Sequence, residues 1–145
     1  MKYLITDITT IISASHRLVC DAEISILLTD SRSLSFADET LFFALKTKKD
    51  DGHNYITELY NKRVRNFVVQ EVRPEHAKLK EANFLIVPDT LAALQKLAAH
   101  HRRRFNIPVI GITGSNGKTM VKEFLYRLLH NDFAITRSQI GRAHV

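Results

Sequence analysis

The sequence predicts an α/β fold in two parts: a small α/β unit over residues 1–87, and over 88–138 the opening of a parallel-sheet domain. Three observations predict it. Short apolar runs of strand length alternate with segments whose apolar residues recur at helical spacing. Polar or proline-containing connections separate these runs. Near residue 110 an apolar run, a glycine-rich loop and a helical segment follow one another directly, as they do where a parallel sheet is wound.

In chain order, "ISILLT" (24–29) and "TLFFAL" (40–45) read as strands joined by the polar connection "DSRSLSFADE", so the first half is expected to open on β structure. In "DGHNYITELYNKRV", Tyr55, Ile56, Leu59, Tyr60 and Val64 fall at helical spacing. "NFVVQ" (66–70) and "NFLIV" (83–87) return to strands. After Pro88, "DTLAALQKLAAHHRRRF" reads as a helix with Leu91, Leu94, Leu97 and Ala98 on one stripe. Its basic cluster falls in the last turn, where cations suit the helix dipole. "IPVIGIT", "KTMVKEFLYRLLH" and "FAIT" (133–136) then predict strand, helix and strand. A domain boundary is expected near Pro88.

At 145 residues and 45% apolar content the chain can bury a core but has about the size of one ordinary domain. The formal charge of +6 favours anionic partners without choosing among them. Cys20 is the single cysteine, so no intrachain disulfide can form; it reads as a small core residue in a reducing compartment. "MKYLITDITTII" is too short and too interrupted, by Asp7, for a signal peptide or membrane helix, and a cytoplasmic location is expected.

Three of the five glycines lie within residues 111–117, in "GITGSNGKT". Where a strand gives way to a helix, glycines let backbone N–H groups turn around an anion and the helix N-terminus adds partial positive charge. Lys118 can reach β and γ phosphates there, and the Thr119 hydroxyl can ligate Mg²⁺. A glycine turn that merely joins strand to helix is the plainer reading, but it does not account for the Lys118–Thr119 pair. The general phosphate-loop pattern G-x-x-x-x-G-K-[ST] has glycine where this chain has Ile112.

Thr113, Gly114, Ser115, Asn116, Gly117, Lys118 and Thr119 resemble the nucleotide loop of the Mur ligases, the ATP-dependent amide-forming enzymes of peptidoglycan synthesis, in which the Ile112 position is usually apolar. Folylpolyglutamate synthases are similar here. "VKE" (121–123) resembles the MurF branch. So does "TDSRSLSFADETLFFALKTKKDDGHNYI" (29–56), in the D-S-R of Asp30, Ser31 and Arg32, in Leu41, Phe42, Ala44 and Leu45, and in the D-G-H of Asp51, Gly52 and His53 before an aromatic residue. The branch usually has Pro-Gly at Ala37–Asp38 and often glycine at Thr47, which bears on turn geometry.

The resemblance implies a UDP-substrate-binding domain over 1–87 and the start of a P-loop-type central ATP-binding domain over 88–138. Gly114, Ser115, Asn116, Gly117, Lys118 and Thr119 would hold ATP, with Lys118 catalytic and Thr119 on Mg²⁺. Ser31, Arg32 and His53 would contact the UDP end of UDP-N-acetylmuramoyl-tripeptide. Arg32 reads equally as a solvated loop cation, and His53 as a cap of the helix it opens. The implied reaction activates the peptide carboxylate as an acyl phosphate, which the amine of D-alanyl-D-alanine attacks.

Other readings stay open: a ligase adding the third peptide residue, an unrelated P-loop NTPase, or a basic nucleic-acid module suggested by "HHRRR". Aromatic residues do not interleave that run as single-strand binding needs, and no nucleic-acid or membrane partner is expected. Further magnesium ligands and a closing domain are not present, so the chain reads as an N-terminal fragment, inactive by itself. "QIGRAHV" (139–145) can be encoded by a string that matches a common sequencing adapter from its second base, and is expected to be non-native; a genuine tail is the alternative.

Overall fold

The computed structural model describes residues 2–138; the expected non-native tail lies outside the described residues. Among these the chain divides into two compact units, one ending at Phe105 and the other beginning at Asn106.

The first unit opens on a two-residue strand β1 (Tyr3–Leu4), followed at once by a helix α1 (Ile5–Ile12) that the expected β opening did not include. Seven of the helix's eight residues are isoleucine or threonine, β-branched types that strand propensity favours. Even so, Ile5, Ile8, Thr9 and Ile12 are spaced to fall on one helical face, and that face is buried. Burial of one apolar stripe outweighs intrinsic preferences worth fractions of a kcal/mol per residue. Ser13, in the left-handed region at φ 55°, ends the helix. β2 (Ser15–Arg17) follows.

The expected strand 24–29 is divided in two. β3 (Glu23–Ile24) pairs antiparallel with β1, while β4 (Ile26–Leu28) pairs in parallel with β5 (Thr40–Phe43). After β5 come α2 (Ile56–Asn61), β6 (Asn66–Val69), the short α3 (Pro74–Ala77), β7 (Asn83–Ile86) and α4 (Thr90–Arg103). The main sheet has the order β2-β7-β6-β5-β4, parallel except for β2, which runs antiparallel on β7.

The central strands are apolar on both faces, as parallel strands between helical layers must be. Alternation along each strand sends Leu41, Phe43, Val68 and Leu85 into a core with α1 and α4. It sends Phe42, Phe67, Val69 and Phe84 into a second core with Ile56 and Leu59 of α2. Phe67 stacks on Phe84 at 5.6 Å and meets Phe42 edge-on at 6.4 Å.

α4 belongs to this unit, so the break falls after Phe105 and not near Pro88. Asp89 caps the helix by accepting from the Leu91 and Ala92 amides at 2.8 and 3.0 Å. Its inward stripe is Thr90, Ala93 and Leu97, with Leu94 beside it; Leu91 and Ala98 face solvent. Of the expected stripe, Leu94 and Leu97 therefore turn inward and Leu91 and Ala98 do not. At the amino ends of the strands Asn83 donates to Asn66 Oδ1 at 2.8 Å and accepts from the Val19 and Cys20 amides at 2.7 and 3.2 Å. That bond set fixes the loop holding Cys20, which is exposed, contrary to the core position expected for it.

In the second unit, α5 (Lys118–Leu129) forms as expected. The expected strands 107–113 and 133–136 do not: a strand exists only as a ladder with a neighbour, and none of the described residues pairs with either segment. Val109, Ile110, Met120, Phe124 and Phe133 are correspondingly exposed. Among the described residues no helix is long and apolar enough to cross a membrane.

Candidate functional site

Ligands of open parallel sheets bind outside the carboxyl ends of the strands, where the following loops present backbone and side-chain groups. In the first unit that edge carries the loops after β4, β5, β6 and β7, and Ser31, Arg32 and His53 all lie on it.

The loop after β4 forms one 3-10 turn, Ser31–Ser33, capped by Asp30, which accepts from the Arg32 amide at 3.0 Å. Arg32 also grips Asp30 through a fork, Nε to Oδ1 at 2.9 Å and Nη2 to Oδ2 at 2.7 Å. These bonds, the side-chain ones foremost, lower the Asp30 carboxyl to about 2. The Arg32 side chain is 87% exposed and its Nη1 has no partner among the described residues. It is a solvated cation pre-oriented by its own loop, which suits a phosphate oxygen arriving from solvent. Ser31 is half-buried at the start of the turn.

The loop after β5 first turns at Thr47, whose hydroxyl accepts from the Lys49 and Asp50 amides at 3.3 and 3.0 Å. A threonine side chain thus organises the turn at the position where the resembled branch often has glycine. Gly52 then passes so close to the end of β5 that an added Cβ would lie 2.7–2.8 Å from backbone atoms of Leu45 and Ala44. Only glycine fits that approach.

Next to it, His53 is 1% exposed. Its Nε2 lies 3.1 Å from the Gln70 amide, and a backbone N–H can only donate, so Nε2 accepts and the ring proton sits on Nδ1. That proton faces Asp51 Oδ1 at 2.6 Å. Both ring nitrogens are therefore committed to the protein, leaving none for a ligand. Of the two roles open to His53, the geometry supports a structural one, and broader than a cap: it ties the loop after β5 to the loop after β6. The 3-10 turn Gly52–Tyr55 is capped by Asp51, which accepts from the His53 amide at 3.0 Å.

Asp51 also accepts from Arg73 Nη2 at 2.5 Å. Burial is the largest influence on its carboxyl and pushes it up, but the bonds from the His53 amide and ring and from Arg73 together prevail, and it is lowered to about 2. A carboxyl depressed in the folded state adds stability above its unfolded value and loses it as pH falls through the folded one. For Asp51 that window runs from about pH 4 down to about pH 2, and the shift corresponds to about 2 kcal/mol. Unfolding free energies measured by urea across this window should therefore fall more steeply for the native chain than for Asp51→Asn. Parallel slopes would refute the assignment.

Arg73 was not among the residues legible as functional, since nothing in "EVRPEH" distinguishes it from a surface cation.

In the second unit, the loop before α5 has the backbone that an anion cradle needs. Gly114 and Gly117 both take positive φ, 149° and 79°, and Gly117 stands at the N-cap with no side chain capping the helix. The first-turn amides are therefore not covered by a side-chain acceptor. Lys118 folds back over the loop, donating from Nζ to Gly114 O and, at 3.2 Å, to Ser115 O. Ser115, Asn116 and Thr119 are exposed around it. Left-handed glycines, uncapped amides, an ammonium group over the loop and a hydroxyl at the first turn fit a polyphosphate with its divalent cation.

The chain is similar to known proteins along most of its length. Residues 23–102 match the family described as "Mur ligase family, catalytic domain", a stretch that contains Ser31, Arg32 and His53 and ends before the glycine loop. The UDP-N-acetylmuramoyl-tripeptide–D-alanyl-D-alanine ligase of Synechocystis is 38% identical over 86% of this chain and 25% of its own length. The ligase of that name from Bacillus subtilis is 31% identical over 76% of this chain and 23% of its own. A crystal structure of MurF from Acinetobacter baumannii superposes with a TM-score of 0.79 at 28% identity, covering 96% of this chain and 30% of that one. The chain thus spans about a quarter of the length of the relatives it matches. With more than half of its residues inside the family match, the chain belongs to the Mur ligase family.

Proposed function

We propose that the two units are the nucleotide-sugar-binding and ATP-binding portions of a cytoplasmic ligase that joins D-alanyl-D-alanine to UDP-N-acetylmuramoyl-tripeptide. The observation that carries the ATP reading is the loop 114–119, with two left-handed glycines, an uncapped helix start and Lys118 folded over it. Support for the substrate comes from the Synechocystis and Bacillus relatives, both named for that reaction.

In this reading the amides of the first turn of α5 bind phosphate oxygens, and Lys118 leaves the loop carbonyls to neutralise charge on the β and γ phosphates. Thr119 would hold Mg²⁺, which supplies electrostatic stabilisation of the phosphoryl group in transfer. Ser31 and Arg32 would bind the diphosphate or uridine end at the sheet edge. The peptide carboxylate would take the γ-phosphoryl group from ATP, releasing ADP and giving an acyl phosphate, and the incoming amine would then attack the acyl carbon, losing a proton as phosphate leaves. No turnover is expected from residues 1–145 alone.

The test is calorimetric titration of the chain with Mg·ATP and, separately, with UDP-N-acetylmuramoyl-tripeptide. Saturable one-to-one binding of each is expected, and absence of both would overturn the reading. A ligase adding the third peptide residue is the second reading, favoured by 34% identity to the diaminopimelate ligase of Clostridioides difficile. Preference for the UDP-linked dipeptide over the tripeptide in the same titration would support it.

A further inference from the structure

We propose that Arg73 is a positioning residue for the ligand edge of the first unit: through Asp51 and Asn54 it holds segment 50–55 in the place that the Ser31–Arg32 loop requires. This rests on the nucleotide-sugar reading of that edge.

Every nitrogen of the Arg73 guanidinium is committed. Nη2 donates to Asp51 Oδ2 at 2.5 Å, Nη1 to Asn54 Oδ1 at 2.9 Å and Nε to Glu71 Oε1 at 3.3 Å. Its side chain is only 24% exposed. Arg73 therefore acts on a ligand through the groups it holds. Two of these acceptors lie in the loop after β5, whereas Arg73 and Glu71 lie in the loop after β6, so one planar fork fastens two loops. The tie runs parallel to the bond from the Gln70 amide to His53.

What the tie holds bears on Arg32. Asp50 accepts from the Tyr55 hydroxyl at 3.1 and 3.2 Å, so both ends of segment 50–55 are joined to each other. β4 and β5 are paired neighbours, so the Ser31–Arg32 loop and segment 50–55 follow adjacent strands on the same sheet edge, and the charge of Asp50 helps to raise the Arg32 guanidinium. A shift of this segment changes the field in which Arg32 meets an anion, and small misplacements of binding groups cost large factors in affinity.

Two variants separate positioning from folding. Arg73→Lys keeps a cation beside Asp51 but, as a point charge, cannot span Asp51 and Asn54 together. Asn54→Ala removes only the arm that ends on an exposed residue. Affinity for UDP-N-acetylmuramoyl-tripeptide is read by calorimetry on the 145-residue chain, and folding by the urea midpoint. Arg73→Lys should bind at least about tenfold more weakly while still folded, with Asn54→Ala weakened in the same direction. Amide resonances of Arg32 and Tyr55 should shift in both. Wild-type affinity in both folded variants overturns the proposal, and if Arg73→Lys does not fold, Asn54→Ala decides alone. A native chain that fails to bind the probe defeats the nucleotide-sugar reading and this inference with it, whereas equal binding by native chain and variants defeats the inference only.

Discussion

Replacing Lys118 by alanine is expected to weaken Mg·ATP binding by at least about a hundredfold, on the order of 3 kcal/mol, with the unfolding transition of the first unit unchanged. Lys118 is the sole cation of residues 111–119, so no other residue of the loop can take over its charge. What it holds in the absence of nucleotide, the carbonyls of Gly114 and Ser115, is exposed and passes to water when the ammonium group is removed. The loss therefore falls on the ligand and not on the fold. Calorimetry for affinity and circular dichroism for helix content measure the two sides separately. Undiminished affinity in Lys118→Ala would remove the nucleotide from this loop.

His53→Ala should behave in the opposite way, lowering the unfolding free energy of the first unit by about 3–5 kcal/mol. The substitution opens a cavity beside α2, leaves the Gln70 amide without its acceptor and removes one partner from a partly buried carboxylate. Buried groups deprived of partners cost more than the net worth of the bonds they made. Urea midpoints of native and variant chains give the number. An unchanged midpoint combined with weakened UDP-substrate binding would show that the ring meets the ligand after all.

Much of the first unit was legible because parallel strands buried on both faces read as short apolar blocks; "TLFFAL", "NFVVQ" and "NFLIV" could be little else. α1 was not, because its isoleucines and threonines carry strand propensity and only their spacing, resolved by burial, makes them a helix. α4 was legible as a helix and its stripe only in part: alanine and leucine at seven of its fourteen positions leave the choice of inward face to the partner surface, which keeps Leu94 and Leu97, adds Ala93 and leaves out Leu91 and Ala98. The glycine loop was legible as chemistry because few functions need those residue types in that order. His53 was visible as a motif residue but not as a structural one, since its role depends on an amide far along the chain, that of Gln70. Arg73 was invisible for a related reason, as its meaning comes from Asp51 and Asn54.

The antiparallel edge strand has a consequence for how the molecule is made. Ser15 of β2 pairs with Ile86 of β7, so β2, which precedes the other strands of the main sheet in the chain, must wait for the last of them before it has its neighbour. During translation that strand, Ser15–Arg17, has no ladder partner until β7 leaves the ribosome, and this is when chaperone engagement is most consequential.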